Sequence, residues 1–191
     1  MTRSHNRKKL DRFYWDSNVW ISQIQNETSV RLKDDTVENR VLLGRPIIQN
    51  AERGQAEIVT STLSLVEVIK PSRQDSTGLD TNRKIEAFFE NDYIVLVQLN
   101  REVVTKAREL MQAGHAGLKP PDALHIASAI IANADEMHAF DGSVLDLNGK
   151  LERADGKKLI ICKPSMGGPS LPLLELTEDE INHEGEGNET D

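Results

Sequence analysis

The sequence predicts an α/β fold, a three-layer α/β/α sandwich with a mainly parallel central sheet. Short apolar runs alternate with amphipathic segments of ten or more residues along most of the chain. Strands that alternate with helices of that length form βαβ units, the building blocks of parallel sheets. Two of the strand-like runs end abruptly on an acid, Asp16 and Asp141. Open parallel sheets bind ligands at that end of their strands.

Each element has a local reason. Phe13-Tyr14-Trp15 is an aromatic run that reads as a buried strand, and Asn18 to Glu27 follows as a helix. Asp34 to Arg53 is expected to be one long amphipathic helix, with Val37, Val41, Leu42 and Ile48 on one side, Pro46 as a kink and Gly54 as its stop. Ile58 to Thr60 is a strand, and Thr62 to Lys70 is a helix ended by Pro71. The Ser-, Thr- and Asp-rich stretch from Arg73 to Asp80 reads as an exposed loop. Arg83 to Glu90 is helical and Tyr93 to Val97 is a strand. Asn100 caps a helix to about Gly114, and Pro120-Pro121 opens another to about Asn133. Met137 to Phe140 and Leu159 to Cys162 are the last strands.

Composition bounds the function. The 191 residues are 38% hydrophobic and 28% charged, which suits one folded domain rather than a disordered chain. No stretch approaches the roughly 20 apolar residues of a membrane span. Residues Met1 to Asp11 form a basic arm with no apolar core of a signal peptide, and Cys162 is the single cysteine. These features point to a cytoplasmic protein that does not enter a membrane. The net charge of −8 is concentrated after Lys163, where eight acids stand without one Lys or Arg. Met1 to Lys163 hold 23 acids and 23 bases, so the body is neutral and the low pI does not exclude nucleic acid. The expected division is an arm at 1–11, a body at 12–163 and an acidic, flexible tail at 164–191, whose Leu171, Leu173, Leu174 and Leu176 could dock on a partner.

Four carboxylates interrupt apolar or neutral contexts: Asp16, Glu67, Asp122 and Asp141. Each has an ordinary structural explanation. Asp16 could cap the next helix, Glu67 could face solvent near Lys70, Asp122 could favour a helix dipole, and Asp141 could serve a turn before Gly142. Jointly they fall at strand ends and helix starts that can converge at one sheet edge. Two unit charges 4 Å apart repel by roughly 4 kcal/mol at an effective dielectric near 20, a cost that a divalent cation relieves. Oxygen donors with no Cys or His cluster favour Mg²⁺ or Mn²⁺, ions suited to phosphodiester hydrolysis.

At these residues the chain resembles the PIN-domain family of nucleases, over about Arg12 to Cys162. The resemblance rests on Phe13-Tyr-Trp-Asp-Ser-Asn-Val-Trp-Ile21, Ser61-Thr-Leu-Ser-Leu-Val-Glu-Val-Ile-Lys70, Pro121-Asp-Ala-Leu-His-Ile-Ala-Ser-Ala129 and His138-Ala-Phe-Asp-Gly-Ser-Val-Leu145. It implies a PIN-like fold and a Mg²⁺- or Mn²⁺-dependent endoribonuclease with Asp16, Glu67, Asp122 and Asp141 as catalytic metal ligands. Many relatives are VapC-type toxins, so it also implies RNA as substrate, an antitoxin protein as partner and a homodimer as the assembly. Asn18 is expected to orient Asp16. Ala139 stands where the family often has Thr or Ser, and Ser143 is expected to take over that polar role.

Lys70, Arg73 and Lys119 are candidates for RNA-backbone contacts, against solvated surface charge as the ordinary reading. His125 could touch a phosphate or be a packed histidine, and Trp15, Trp20 and Cys162 read as core. The competing class is a catalytically inactive PIN-fold module that binds RNA or a protein. A dinucleotide enzyme lacks its Gly-x-Gly-x-x-Gly after the first strand. A haloacid-dehalogenase-type phosphatase needs a second Asp where Asn18 stands.

Overall fold

A computed structural model describes residues 10–68 and 76–165. Strand β1 (Asp11–Trp15) is followed by α1 (Ser17–Ile24), a small hairpin of β2 (Val30–Arg31) and β3 (Val37–Glu38), and α2 (Arg40–Glu52). Then come β4 (Ala56–Ser61), α3 (Thr62–Glu67), α4 (Ser76–Phe89) and β5 (Ile94–Val97). The chain continues through α5 (Arg101–Gln112), α6 (Pro120–Ile131), β6 (Glu136–His138), α7 (Gly142–Leu145) and β7 (Ile160–Cys162). Among the described residues no helix is long and apolar enough to cross a membrane.

The main sheet has the order β5-β4-β1-β6-β7, and all its pairings are parallel. Alternation along β1 sends its side chains into two cores, because successive strand residues face opposite sides. Tyr14 joins Val59, Met137 and Ile161 beneath residues of α5, α6 and α7. Phe13 and Trp15 join Ile58 and Ile94 beneath residues of α1, α2 and α4. This is the three-layer sandwich that the sequence predicts. From β1 the strand order steps to β4 and β5 on one side, then returns to β6 and β7 on the other. That reversal places a switch point beside the end of β1, where the Asp16 N–H donates to the His138 carbonyl at 3.2 Å.

Several expectations need correcting. The long helix expected from Asp34 begins only at Arg40, capped by Asn39, whose side chain accepts from the Leu42 N–H. Residues before it form the hairpin β2–β3. The buried face of α2 is Val41, Gly44, Ile47 and Ala51, whereas Val37 and Leu42 are 61% and 57% exposed. The apolar count was misleading because Val37 lies on a strand of the hairpin, outside the helical period. The helix runs through Pro46 and stops before Gly54, whose φ of +67° suits a residue without a side chain. Residues 76–80, expected as loop, are the first turns of α4. The β6 strand stops at His138 rather than Phe140, and the short helix α7 follows Asp141. Asn100 caps α5 and the Pro pair opens α6, as expected. The arm before residue 10, Lys70, Arg73 and the tail after Ser165 lie outside the described residues.

Candidate functional site

Three of the four carboxylates meet. Asp16 after β1, Glu67 at the end of α3 and Asp122 in the first turn of α6 line one pocket of about 140 Å³ with Ser17, Asn18, Ile21 and His125. Among the described residues no Lys or Arg lines it. Asp141 lies outside this lining, at the end of the loop that follows β6. Lys119 links it to the group: its N–H donates to Asp122 at 3.2 Å, and its charge helps hold the Asp141 carboxyl low.

The ordinary explanations hold alongside this convergence. Asp16 Oδ1 accepts from the Val19 N–H at 3.1 Å and caps α1. Asp122 Oδ2 takes the Lys119 N–H, and Asp141 Oδ1 accepts from the Ser143 N–H and hydroxyl at 2.8 and 2.6 Å. Each aspartate is thus aimed by the amino end of its own helix, where anions are favoured. Ser143 thus bonds Asp141 through both its N–H and its hydroxyl. Ala139 is fully buried in the core. Asn18 is exposed and contributes a backbone N–H to Asp16 rather than the expected side-chain bond.

Glu67 is held differently. It is the last residue of α3, the end of a helix that disfavours an anion. Its Oε2 accepts from the Ser17 hydroxyl in a very short contact and lies 2.8 Å from His125 Nε2. His125 Nδ1 lies 2.8 Å from the Tyr14 hydroxyl, and Nε2 is 3.0 Å from Ser17 Oγ. Behind Ser17, the Ser64 hydroxyl is 2.7 Å from Thr60 Oγ1, which donates to the Trp15 carbonyl at 2.8 Å. His125 is therefore a packed, satisfied histidine that also touches a site carboxylate.

The electrostatics divide the acids. Burial pushes the Asp16 carboxyl up to about 6, partly offset by His125, by the Val19 and Asn18 N–H groups, and raised further by Asp122. Glu67 is lowered despite its desolvation, through His125 and Ser17. Asp141 is lowered chiefly by Ser143. A carboxylate only 5% exposed, with no Lys or Arg among the described residues lining its pocket, is costly to keep charged at neutral pH. A divalent ion answers that cost, and an all-carboxylate donor set suits Mg²⁺ or Mn²⁺. The trio is not drawn together as a tight chelate. Mg²⁺ keeps several waters, so carboxylates spaced around a pocket suit it.

Among the described residues the one ligand trio that closes within 4.8 Å is Glu136, His138 and Cys162. The spacing in sequence hides it, because Cys162 comes from the neighbouring strand. Its hydrogen bonds are already satisfied. The Trp15 indole N–H can only donate, and it meets His138 Nδ1 at 3.1 Å. The ring proton is then on Nε2, 3.1 Å from Glu136 Oε2, where a metal would have to displace it. Burial and the adjacent Glu136 push the Cys162 thiol up to about 12. Cys162 is half-buried rather than a core residue.

A second depression, of about 520 Å³, opens beside Asp141 and is lined by Arg31, Lys33, Arg40 and Phe140 among others. The hairpin β2–β3 supplies Arg31 and Lys33 borders it. Arg40 stacks over the Phe140 ring at 4.3 Å and pairs with Glu27 and Glu38. The sequence reading gives Arg31 and Lys33 no role because strands of two residues leave no period, and it places Arg40 inside the helix expected from Asp34. Ser17, Tyr14 and His125 carried no spacing signal that marks them as one network.

Residues 13–150 match the sequence profile of the PIN domain family. No curated protein matches the chain. Its fold is similar to VapBC2 from Rickettsia felis, solved bound to a DNA fragment from their promoter: TM-score 0.50, 13% identity, covering 78% of this chain and 96% of that one. It is also similar to Mycobacterium tuberculosis VapC20, described as a Sarcin-Ricin loop cleaving toxin: TM-score 0.50, 14% identity, covering 69% of this chain and 92% of that one.

Proposed function

The chain belongs to the PIN-domain family, and from that premise we propose that it is a metal-dependent endoribonuclease acting on RNA phosphodiester bonds. The observation that carries this reading is the meeting of Asp16, Glu67 and Asp122, from separate elements, around one pocket that no Lys or Arg lines among the described residues. Asp16, Glu67 and Asp122, with Asp141 beside them, are the proposed holders of Mg²⁺ or Mn²⁺. Bound there, the ion supplies a more acidic attacking water and charge stabilisation at the phosphate and leaving oxygen.

The protein's own part is to aim and to charge these groups. Helix amino ends fix Asp16, Asp122 and Asp141, and Ser17 with His125 keeps Glu67 ionised. Arg31, Lys33 and Lys119 are the proposed backbone contacts for RNA, since neutralising phosphates supplies most of such affinity. Lys70 and Arg73 remain proposals on the same ground. The fold likeness to VapC proteins supports a toxin role with an antitoxin partner; a homodimer and a cytoplasmic setting are proposed beside it.

The test is incubation of the purified chain with single-stranded and structured RNA, with Mn²⁺, Mg²⁺ or EDTA, beside Asp16→Asn. The reading expects cleavage that needs the ion and is absent from the variant. Cleavage that persists in EDTA or in Asp16→Asn overturns it. Metal binding and RNA binding without cleavage would favour the inactive module.

A further inference from the structure

We propose that His125, backed by Tyr14, is a positioning residue for Glu67, doing for it what helix amino ends do for the three aspartates; this rests on the metal-site reading above. The need for it lies in the placement of Glu67. At the last residue of α3 its carboxylate meets the negative end of the helix dipole and no backbone N–H of its own helix. Its hydrogen-bond partners come instead from two other elements, Ser17 of α1 and His125 of α6. Both contacts end on Oε2, which leaves Oε1 as the oxygen to meet an ion.

The proton order follows from the donors available. An ionised carboxylate only accepts, so the Ser17 O–H and the His125 Nε2–H both donate to Glu67. In a neutral ring Nδ1 then accepts, and the Tyr14 O–H, 2.8 Å away and fully buried, is the donor. Tyr14 thereby fixes the tautomer that presents Nε2–H to Glu67. At 4% exposure His125 has no freedom to turn away, since α6 packs it over Tyr14 in the interior. Partners of this kind that orient a ligating side chain are worth roughly 10–100-fold in metal affinity.

The experiment is calorimetric titration of Mn²⁺ into the wild type, His125→Ala, His125→Gln, Tyr14→Phe and Glu67→Gln, with circular dichroism to confirm the fold. His125→Ala should weaken Mn²⁺ binding roughly 10–100-fold. His125→Gln, whose amide N–H can stand where Nε2–H stood, should restore most of it. Tyr14→Phe should weaken binding in the same direction by less. Added to Glu67→Gln, His125→Ala should change nothing further, because its effect passes through Glu67. Unchanged affinity in His125→Ala, a Gln variant no better than Ala, or full additivity with Glu67→Gln each overturns the inference while leaving the metal site standing. A wild type that binds no Mn²⁺ overturns the proposed function and this inference with it. Should His125→Ala fail to fold, Tyr14→Phe and His125→Gln decide alone.

Discussion

Toward the amino ends of the strands, Glu57, Asp135 and Asp155 sit against arginines; at the carboxyl ends, the site acids sit against helix N–H groups, hydroxyls and one histidine. Arg12 bonds Glu57 at 2.7 Å and its backbone N–H reaches Asp135. Arg153 bonds Asp135 at 2.8 Å, Asp155 at 2.5 Å and the Ala134 carbonyl. Asp155 is pulled down to about 2 by Arg153, whereas Asp16 is pushed up to about 6 by burial. Charges neutralised within the fold hold it together. The pocket acids, which the fold aims and which no Lys or Arg lines among the described residues, are available to something from solution. Acid content alone does not separate the two ends; the identity of the nearest partner does.

The contrast is sharpest where one charged side chain is removed from each end. Asp16→Asn should abolish RNA cleavage, read by gel assay, while circular dichroism shows an unchanged fold. Arg153→Ala should leave cleavage by the folded protein intact but destabilise it by about 3 kcal/mol in urea unfolding, because a side chain 4% exposed abandons two carboxylates and a carbonyl. Cleavage loss in Arg153→Ala at full stability would break the division between the ends.

A third expectation concerns pH. Raising the Asp16 carboxyl from 3.8 to about 6 means that the folded chain binds this proton more tightly than the unfolded one. The stability so linked is present below pH 4 and is lost as pH rises through 6, for a total of about 3 kcal/mol. Without metal, Asp16→Asn should therefore be more stable than the wild type at pH 7.5, by about 2 kcal/mol after the desolvation of the amide, and the gap should close near pH 4. A constant gap between pH 4 and 7.5 would contradict the burial argument. The smallest effect is expected of Ser143→Ala, which keeps the backbone N–H that donates to Asp141, the cap of α7, but removes the hydroxyl that donates to the same oxygen. It should cost about 1 kcal/mol by thermal unfolding and raise the Asp141 carboxyl toward its ordinary range. No change in Asp141 titration by NMR would refute that bond.

Legibility in the sequence followed range of interaction. Phe13-Tyr14-Trp15 announces its strand because burial on both faces demands a continuous apolar run. Asn100 and Pro120-Pro121 announce helix starts because capping is local. The hairpin β2–β3 was hidden because strands of two residues leave no period, and Val37 mimicked a helical face. At the site, the four acids were legible as residues out of place and through the family resemblance. The Tyr14–His125–Glu67–Ser17 chain was not, since it joins β1, α6, α3 and α1 across as many as 111 positions. The same holds for Cys162 beside Glu136, which only strand pairing brings together.

The most direct measurement is thermal unfolding at pH 7.5 of the wild type and Asp16→Asn, each with EDTA and with Mn²⁺. If uncompensated acids at the carboxyl end are a cation site, Mn²⁺ raises the wild-type Tm, while Asp16→Asn starts higher and does not respond. An equal Mn²⁺ response in both proteins, or none in the wild type, would contradict the account.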